Sequence, residues 1–491
     1  MRTLLALSAI LVALSNSGCL IDRSALGADD AGGGLDAYVD PSVDAALDAA
    51  RAPDASLDAW LDPSLDAFSP DAFVEPPDAY VPPGVDAFSP DVFTPPDAFV
   101  PADASMCPRC AGDDLIGCDG TTTRCGLCEG GPMDAHCVEL QPSNVAAPFT
   151  FNAMALATDV VVSSEVTWNT TNCDRAHMPV DGGMVDMMLL SHPDQPGAAG
   201  EVCVFAANSF AFNTGADVHV IGSRPLVLLA RERIEIAGGA VISVASANTP
   251  PTDCTIDRVG AGSGTGGNVG VAGGGNDGGG GGGGFFGLGG AGGDGGGTGG
   301  GGGAGAAPSA MTLVPLVGGA NGGVGHGGAG GFAGPGGGAL QLSASRVTIH
   351  GVIEAFGAGG GGGGAMNAGG GGGSGGGVHI EALVLDASGG AIDVRGGGGG
   401  GGGCGGRGEC GLQNLAPAAM SGGAANNTCA GDGGAGAGAG SVDGDVGGTA
   451  SNNGGGGGGG AGAVVVRQHI SRAFVTTYPA GVVSSPAPSI R

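Results

Sequence analysis

Long glycine tracts broken at intervals by short aliphatic blocks constrain this chain more than any other feature. Of its 113 glycines, 92 lie between Gly260 and Gly462. A residue without a side chain has nothing to bury and the most backbone entropy to lose, so the aliphatic blocks must supply the core. Three of them stand out: residues 225–246 (PLVLLARERIEIAGGAVISVAS), 339–357 (ALQLSASRVTIHGVIEAFG) and 378–396 (VHIEALVLDASGGAIDVRG). Each holds three runs of period two. Ala230, Ala344 and Ala382 occupy the same place in their blocks, and glycine recurs at one corner, as Gly238 and Gly239, then Gly351, then Gly389 and Gly390.

Period-two alternation sends one set of side chains inward and the other outward, and about twenty residues in three such runs make one coil of a stacked repeat. The expected fold is all-β: a parallel β-helix-like solenoid over residues 223–470, with glycine-rich insertions at 247–338, 358–377 and 397–462 leaving one edge of the stack. A β-sandwich is the runner-up, disfavoured because the blocks lack short hairpin turns. Residues 139–222 and 471–491 are expected to cap the ends and hide sheet edges. The tracts admit two states. Isolated, they are disordered. Side by side, they can pack as extended helices of three residues per turn, because no Cβ holds their backbones apart.

Arg2 precedes an apolar run from Leu4 to Leu14, which is too short to span a bilayer and predicts an export signal over residues 1–18. The small pair Ser17 and Gly18 ahead of Cys19 resembles a bacterial lipoprotein signal. That resemblance implies that Cys19 is acylated and holds the exported chain to a membrane; simple secretion is the alternative. Residues 19–104 then form an acidic stalk. Between Asp29 and Asp103, 17 acids face the single Arg51 in an Asp-Ala-Pro pattern. Prolines and like charges at spacing four oppose a helix, and a stretched stalk spans on the order of 200 Å.

The formal charge is −30, and all 16 basic residues are arginine. The absence of lysine excludes a P-loop and Schiff-base chemistry, and a polyanion without a basic stretch is no nucleic-acid partner. Apart from Cys19, twelve cysteines remain, an even number suited to pairing in an oxidising compartment. Cys107, Cys110, Cys118, Cys125, Cys128 and Cys137 make a module over residues 105–138 that is too small to hold itself by a core. Its two C-x-x-C pairs also match zinc-ribbon spacing, but that reading leaves Cys118 and Cys137 spare, so disulfides are expected and neither metal nor cofactor. By parity, Cys173 pairs with Cys203, and Cys254 with one of Cys404, Cys410 and Cys429.

Motifs inside polyglycine carry little information. Gly372 to Gly376 spell G-x-S-x-G around Ser374 through composition alone. One constellation suggests chemistry: if the second and third blocks stack in register, Glu354 and Asp393 lie on neighbouring coils about 4.8 Å apart, with Arg395 on the same outward face. That approaches the ~5–5.5 Å of the carboxylate pair in retaining glycosidases. The competing reading is an ordinary solvated β surface.

Together, the signal ending at Cys19, the Asp-Ala-Pro stalk, the six-cysteine module and the glycine-interrupted blocks resemble the glycine-rich surface lipoproteins of large-genome soil bacteria. The tracts are also similar to those of PE-PGRS proteins, whose helical N-terminal domain is missing here. The resemblance implies a lipid-anchored, non-enzymatic envelope or cell-surface protein with a structural or adhesive role, meeting surface glycans or other envelope proteins. A carbohydrate-binding or carbohydrate-cleaving β-helix is the alternative, and a cation-dependent matrix component is a third.

Overall fold

Alternating aliphatics become paired strands in the computed structural model, which describes residues 107–145 and, with short interruptions, 158–490. The signal segment, Cys19 and the stalk fall outside the described residues. Among the described residues the chain forms an arch six times, a first strand and a second strand joined by a tight corner. The arches are Asp159–Val162 with Glu165–Asn169, Cys203–Phe212 with Asp217–Ile221, Leu226–Ile236 with Val241–Ser243, Ala339–Ile349 with Val352–Glu354, Gly377–Asp386 with Ala391–Asp393, and Ala463–Ala473 with Thr476–Tyr478. First strands pair with first strands and second with second, in parallel and in chain order. Val483–Ser484 extends the first-strand sheet at its far end, and Met188–Leu190 joins it antiparallel to Cys203–Phe212. The described residues are all-β, with no α-helix.

Two of the expected boundaries move. The first two runs of each block form one continuous strand, so an arch spans two sheets where three runs were expected. Within residues 139–222, expected as a cap, Asp159–Val162 to Asp217–Ile221 supply the first two arches of the same sheets, because Val160, Val162, Phe210, Phe212, Val218 and Val220 continue the inward alternation. At the corners, Gly215, Gly239 and Gly389 take positive φ of 91°, 81° and 77°, which only glycine adopts cheaply. Gly351 differs: it is not left-handed, but a Cβ there would run into the carbonyls of Ala237 and Ala240.

Between the sheets the inward residues stack in columns. Ala207, Ala230, Ala344 and Ala382 form one, and Phe210, Ile234, Val347 and Leu385 another, all buried. Each buried aliphatic contributes roughly 1.5–3 kcal/mol. Trp168 stacks on Phe205 with centroids 5.8 Å apart in the first two arches of the core. The first-strand sheet is buried on its outer face as well. Val227, Leu229, Leu383 and Val465 lie under Val138, Leu140, Val145, Leu313 and Leu316, which explains why Leu226–Ala230 reads as an unbroken apolar run. The segment 139–145 thus covers a sheet face, where the sequence suggested an end cap.

The glycine tracts take the packed alternative. Gly280 and Gly283 donate to Gly369 and Gly372, Gly369 and Gly372 donate to Gly454 and Gly457, and Gly457 and Gly460 donate back to Gly280 and Gly283, at 2.8–3.0 Å. Each step advances three residues, the period of a polyproline-II-type helix, and closes a triangle of three distant tracts. Further segments at 290–293, 302–305 and 323–326 bond to the same central segment. A Cβ at Gly282 would strike the carbonyl of Gly458, and one at Gly457 that of Gly290.

Twelve described cysteines sit in six pairs: Cys107 with Cys118, Cys110 with Cys128, Cys125 with Cys137, Cys173 with Cys203, Cys254 with Cys410, and Cys404 with Cys429, at Cα separations of 5.0–6.0 Å. The four cysteines of the zinc-ribbon spacing are each bridged. Cys254 and Cys410 tie the first insertion to the third.

Candidate functional site on the second-strand sheet

Parallel register converts one position of each second strand into a ladder. Thr167, His219, Ser243, Glu354, Asp393 and Tyr478 are successive Cα partners, so Glu354 and Asp393 do stand on adjacent strands. Neighbouring strands are ~4.8 Å apart. Their setting differs from the expectation of an outward, solvated face. Asp393 and Arg395 are buried, at 4% and 2% exposure, and Glu354 is half-buried. Arg395 grips both carboxylate oxygens of Asp393, with Nε to Oδ1 at 2.9 Å and Nη2 to Oδ2 at 2.6 Å, and its Nη1 donates to the carbonyl of Ala418. The cause lies in the insertions: the third returns across the sheet at Ala418, and the first folds a hairpin, Ala247–Asn248 against Ile256–Arg258, over the ladder.

Arg258 from that hairpin hydrogen-bonds to His219 Nδ1 and donates to Ser243 Oγ at 3.3 Å. Burial raises the Glu354 carboxyl above the ordinary range, and the neighbouring Asp393 adds to the rise, while the hydrogen bond with Ser243 and the Arg258 charge oppose it. Burial and Arg258 lower the His219 imidazole, although Asp217 at 3.6 Å and Glu165 at 3.9 Å favour its charged form. An acid biased towards its protonated state beside a carboxylate is the chemical pairing of glycoside hydrolysis. Here, however, Asp393 is saturated by Arg395 beneath a covering chain, so the carboxylate presents no free oxygen to a sugar.

A second polar constellation escaped the sequence reading. Gln341 and Ser343, His379 and Glu381, and Arg467 lie side by side on the outer face of the first-strand sheet, under Ser143 and Asn144. Glu381 Oε2 accepts from Ser143 N at 3.0 Å, Gln341 Nε2 at 2.8 Å and Ser343 Oγ at 2.9 Å, and its Oε1 accepts from Ser143 Oγ. Arg467 Nη1 donates to Ser143 Oγ at 2.9 Å, and Asn144 Nδ2 donates to Gln341 Oε1 at 2.8 Å. His379 is closed to solvent, and burial pushes its imidazole down to about 4 despite Glu381. The signal was the spacing Gln-x-Ser and His-x-Glu at matching strand positions; it was hidden because outward polar residues normally face water. These contacts fasten residues 139–145 to the sheet. Ser374 of the G-x-S-x-G match is spent on backbone, its Oγ accepting from Ala320 N at 2.8 Å.

Among the described residues, no group of His, Cys, Asp and Glu is arranged to hold a metal ion, and no helix is long and apolar enough to cross a membrane. No protein-family model, no curated protein and no solved structure matches the chain.

Proposed function

We propose that this chain is an exported, lipid-anchored envelope or cell-surface protein that displays a rigid head for adhesion or surface coating, without catalysis. In this reading the six arches are coils of a parallel β-helix-like solenoid, Cys19 carries the anchor, and the acidic stalk sets the distance from the membrane. The observation that carries the proposal is the closed hydrogen-bonded array of glycine tracts. It joins segments more than 80 residues apart in the chain, and with the disulfide pairs it favours shape persistence. Burial of Asp393 beneath Ala418 supports the absence of turnover.

The test uses purified full-length protein on a glycan and whole-cell binding screen, with reducing-end release measured in parallel. Binding without release is the expected result; release of sugar ends overturns it. The carbohydrate-cleaving alternative draws on one feature, the raised Glu354 acid beside Asp393. It requires that Glu354→Gln abolish a measured polysaccharide cleavage.

A further inference from the structure

Between Ala230 and Arg233 the first strand of the third arch holds two residues, Arg231 and Glu232, where its neighbours hold one each, Asn208 and Ser345, so the register shifts there. A bulge re-aims the side chains at its position. Arg231, Glu232 and Arg233 all leave the core here, between the buried Ala230 and Ile234. Against this bulge sits the cysteine module. Gly126 approaches Ser345 too closely for any Cβ, and Ser345 Oγ donates to the carbonyl of Arg231 at 2.7 Å. Beside the contact opens a solvent-facing cleft of about 280 Å³, lined by Asp113, Asp114, Arg124, Glu232, Arg233 and Arg346 with the backbone at Cys125 and Gly126. Its volume lies near the low end of the ~300–1,000 Å³ usual for small-ligand sites.

Over the whole chain acids outnumber arginines 46 to 16, yet here three guanidinium groups face three carboxylates. The existing pairs are exchangeable. Arg346 meets Asp113 at 3.6 Å and Arg124 meets Glu232 at 3.1 Å, with the side chains of Asp113 and Arg124 more than half exposed, and such pairs contribute little. Arg233 is exposed, and its charge also acts on the Asp159 carboxyl, helping to hold it low. Guanidinium groups bind a carboxylate through two parallel N–H donors, and Asp113 and Asp114 accept from hydroxyls. The lining offers no aliphatic or aromatic floor, so the ligand is polar throughout.

We propose that this cleft binds an acidic sugar unit, a uronic acid type of residue within an anionic polysaccharide, with its carboxylate on Arg233 and Arg346 and its hydroxyls on the aspartates. The assignment rests on the adhesive reading only for the polymeric nature of the ligand.

The full-length protein is titrated with oligogalacturonate, with a malto-oligosaccharide of equal length and with sodium sulfate. Oligogalacturonate is expected to bind, with the neutral sugar at least tenfold weaker. Arg233→Gln, an exposed change that leaves the thermal midpoint in place, is expected to weaken binding about tenfold, and adding Arg346→Gln to abolish it. Equal binding of the neutral sugar, equal binding of sulfate, or an unchanged affinity in the double variant overturns the assignment. Cell adhesion by a protein that binds no oligogalacturonate sinks the cleft alone; oligogalacturonate binding by a protein that adheres to no cell sinks the adhesive reading and leaves the cleft.

Discussion

Leu228 in the arches and Gly282 in the glycine array are both closed to solvent, yet different forces hold them. Leu228 sits in a column of side chains whose burial from water is the driving term. Gly282 has no side chain to bury; its place is held by backbone hydrogen bonds at 2.8–2.9 Å to Gly290 and Gly305, each contributing only ~0.5–1.5 kcal/mol net. The arches tolerate exchange among aliphatics of similar volume. The array tolerates no added atom where a carbonyl occupies the Cβ position. One interior is specified by what its residues carry, the other by what they lack.

Three measurements would break or sharpen that contrast. The largest effect is expected in the arches: Leu342→Ala leaves a cavity in the shared core and lowers stability by about 2–5 kcal/mol, read from urea midpoints. An equal loss from Leu288→Ala, whose side chain is exposed at the array, would remove the distinction.

Second is a pH effect on the outer face of the first-strand sheet. His379 titrates near 4 when folded and near 6.5 when unfolded, so between those values the unfolded chain binds more protons. Stability is therefore full above pH 6.5 and falls by about 3 kcal/mol as pH drops through 6.5 towards 4. Glu354 acts oppositely: its raised value means that stability is lost as pH rises from 4.5 through the folded titration. His379→Gln should flatten the first dependence and Glu354→Gln the second. Unchanged profiles in both variants would refute the burial of these groups.

Third, Gly457→Ala should cost about 1–3 kcal/mol through overpacking, whereas alanine at Gly300, which has open space around it, should change stability by less than ~0.5 kcal/mol. Amide exchange at 280–283 reports the difference, and matching protection in the two variants would show that the array is not close-packed.

The sequence displayed the arches because side chains announce their period. The alignment of Ala230 with Ala344 and Ala382, and of Glu354 with Asp393, could be read from the spacing of valine, leucine and isoleucine alone. The array was less legible for a physical reason: a run of identical residues carries no register, so nothing in 278–284 says that it meets 369–372 rather than 397–400. Cysteines mark the first and third tracts without fixing their register, which is why a bridge from Cys254 to the third insertion could be anticipated but not its partner. The burial of Asp393, Arg395 and Glu381 was hidden by the same blindness. Each is covered by chain that arrives from an insertion or from residues 139–145, and no local pattern foretells a lid. The cleft beside Arg233 depends on a bulge, one surplus residue visible only when neighbouring strands are laid together.

The triangle closed by residues 277–283, 369–375 and 454–460 also dictates an order of events. Its third side begins only at Gly454, so a chain emerging amino end first holds two unfinished sides until that segment has arrived. The final tract acts as a keystone: a product cut short at residue 440 would lose Gly454, Gly457 and Gly460, and the glycines around 280 would lose partners on which their order depends.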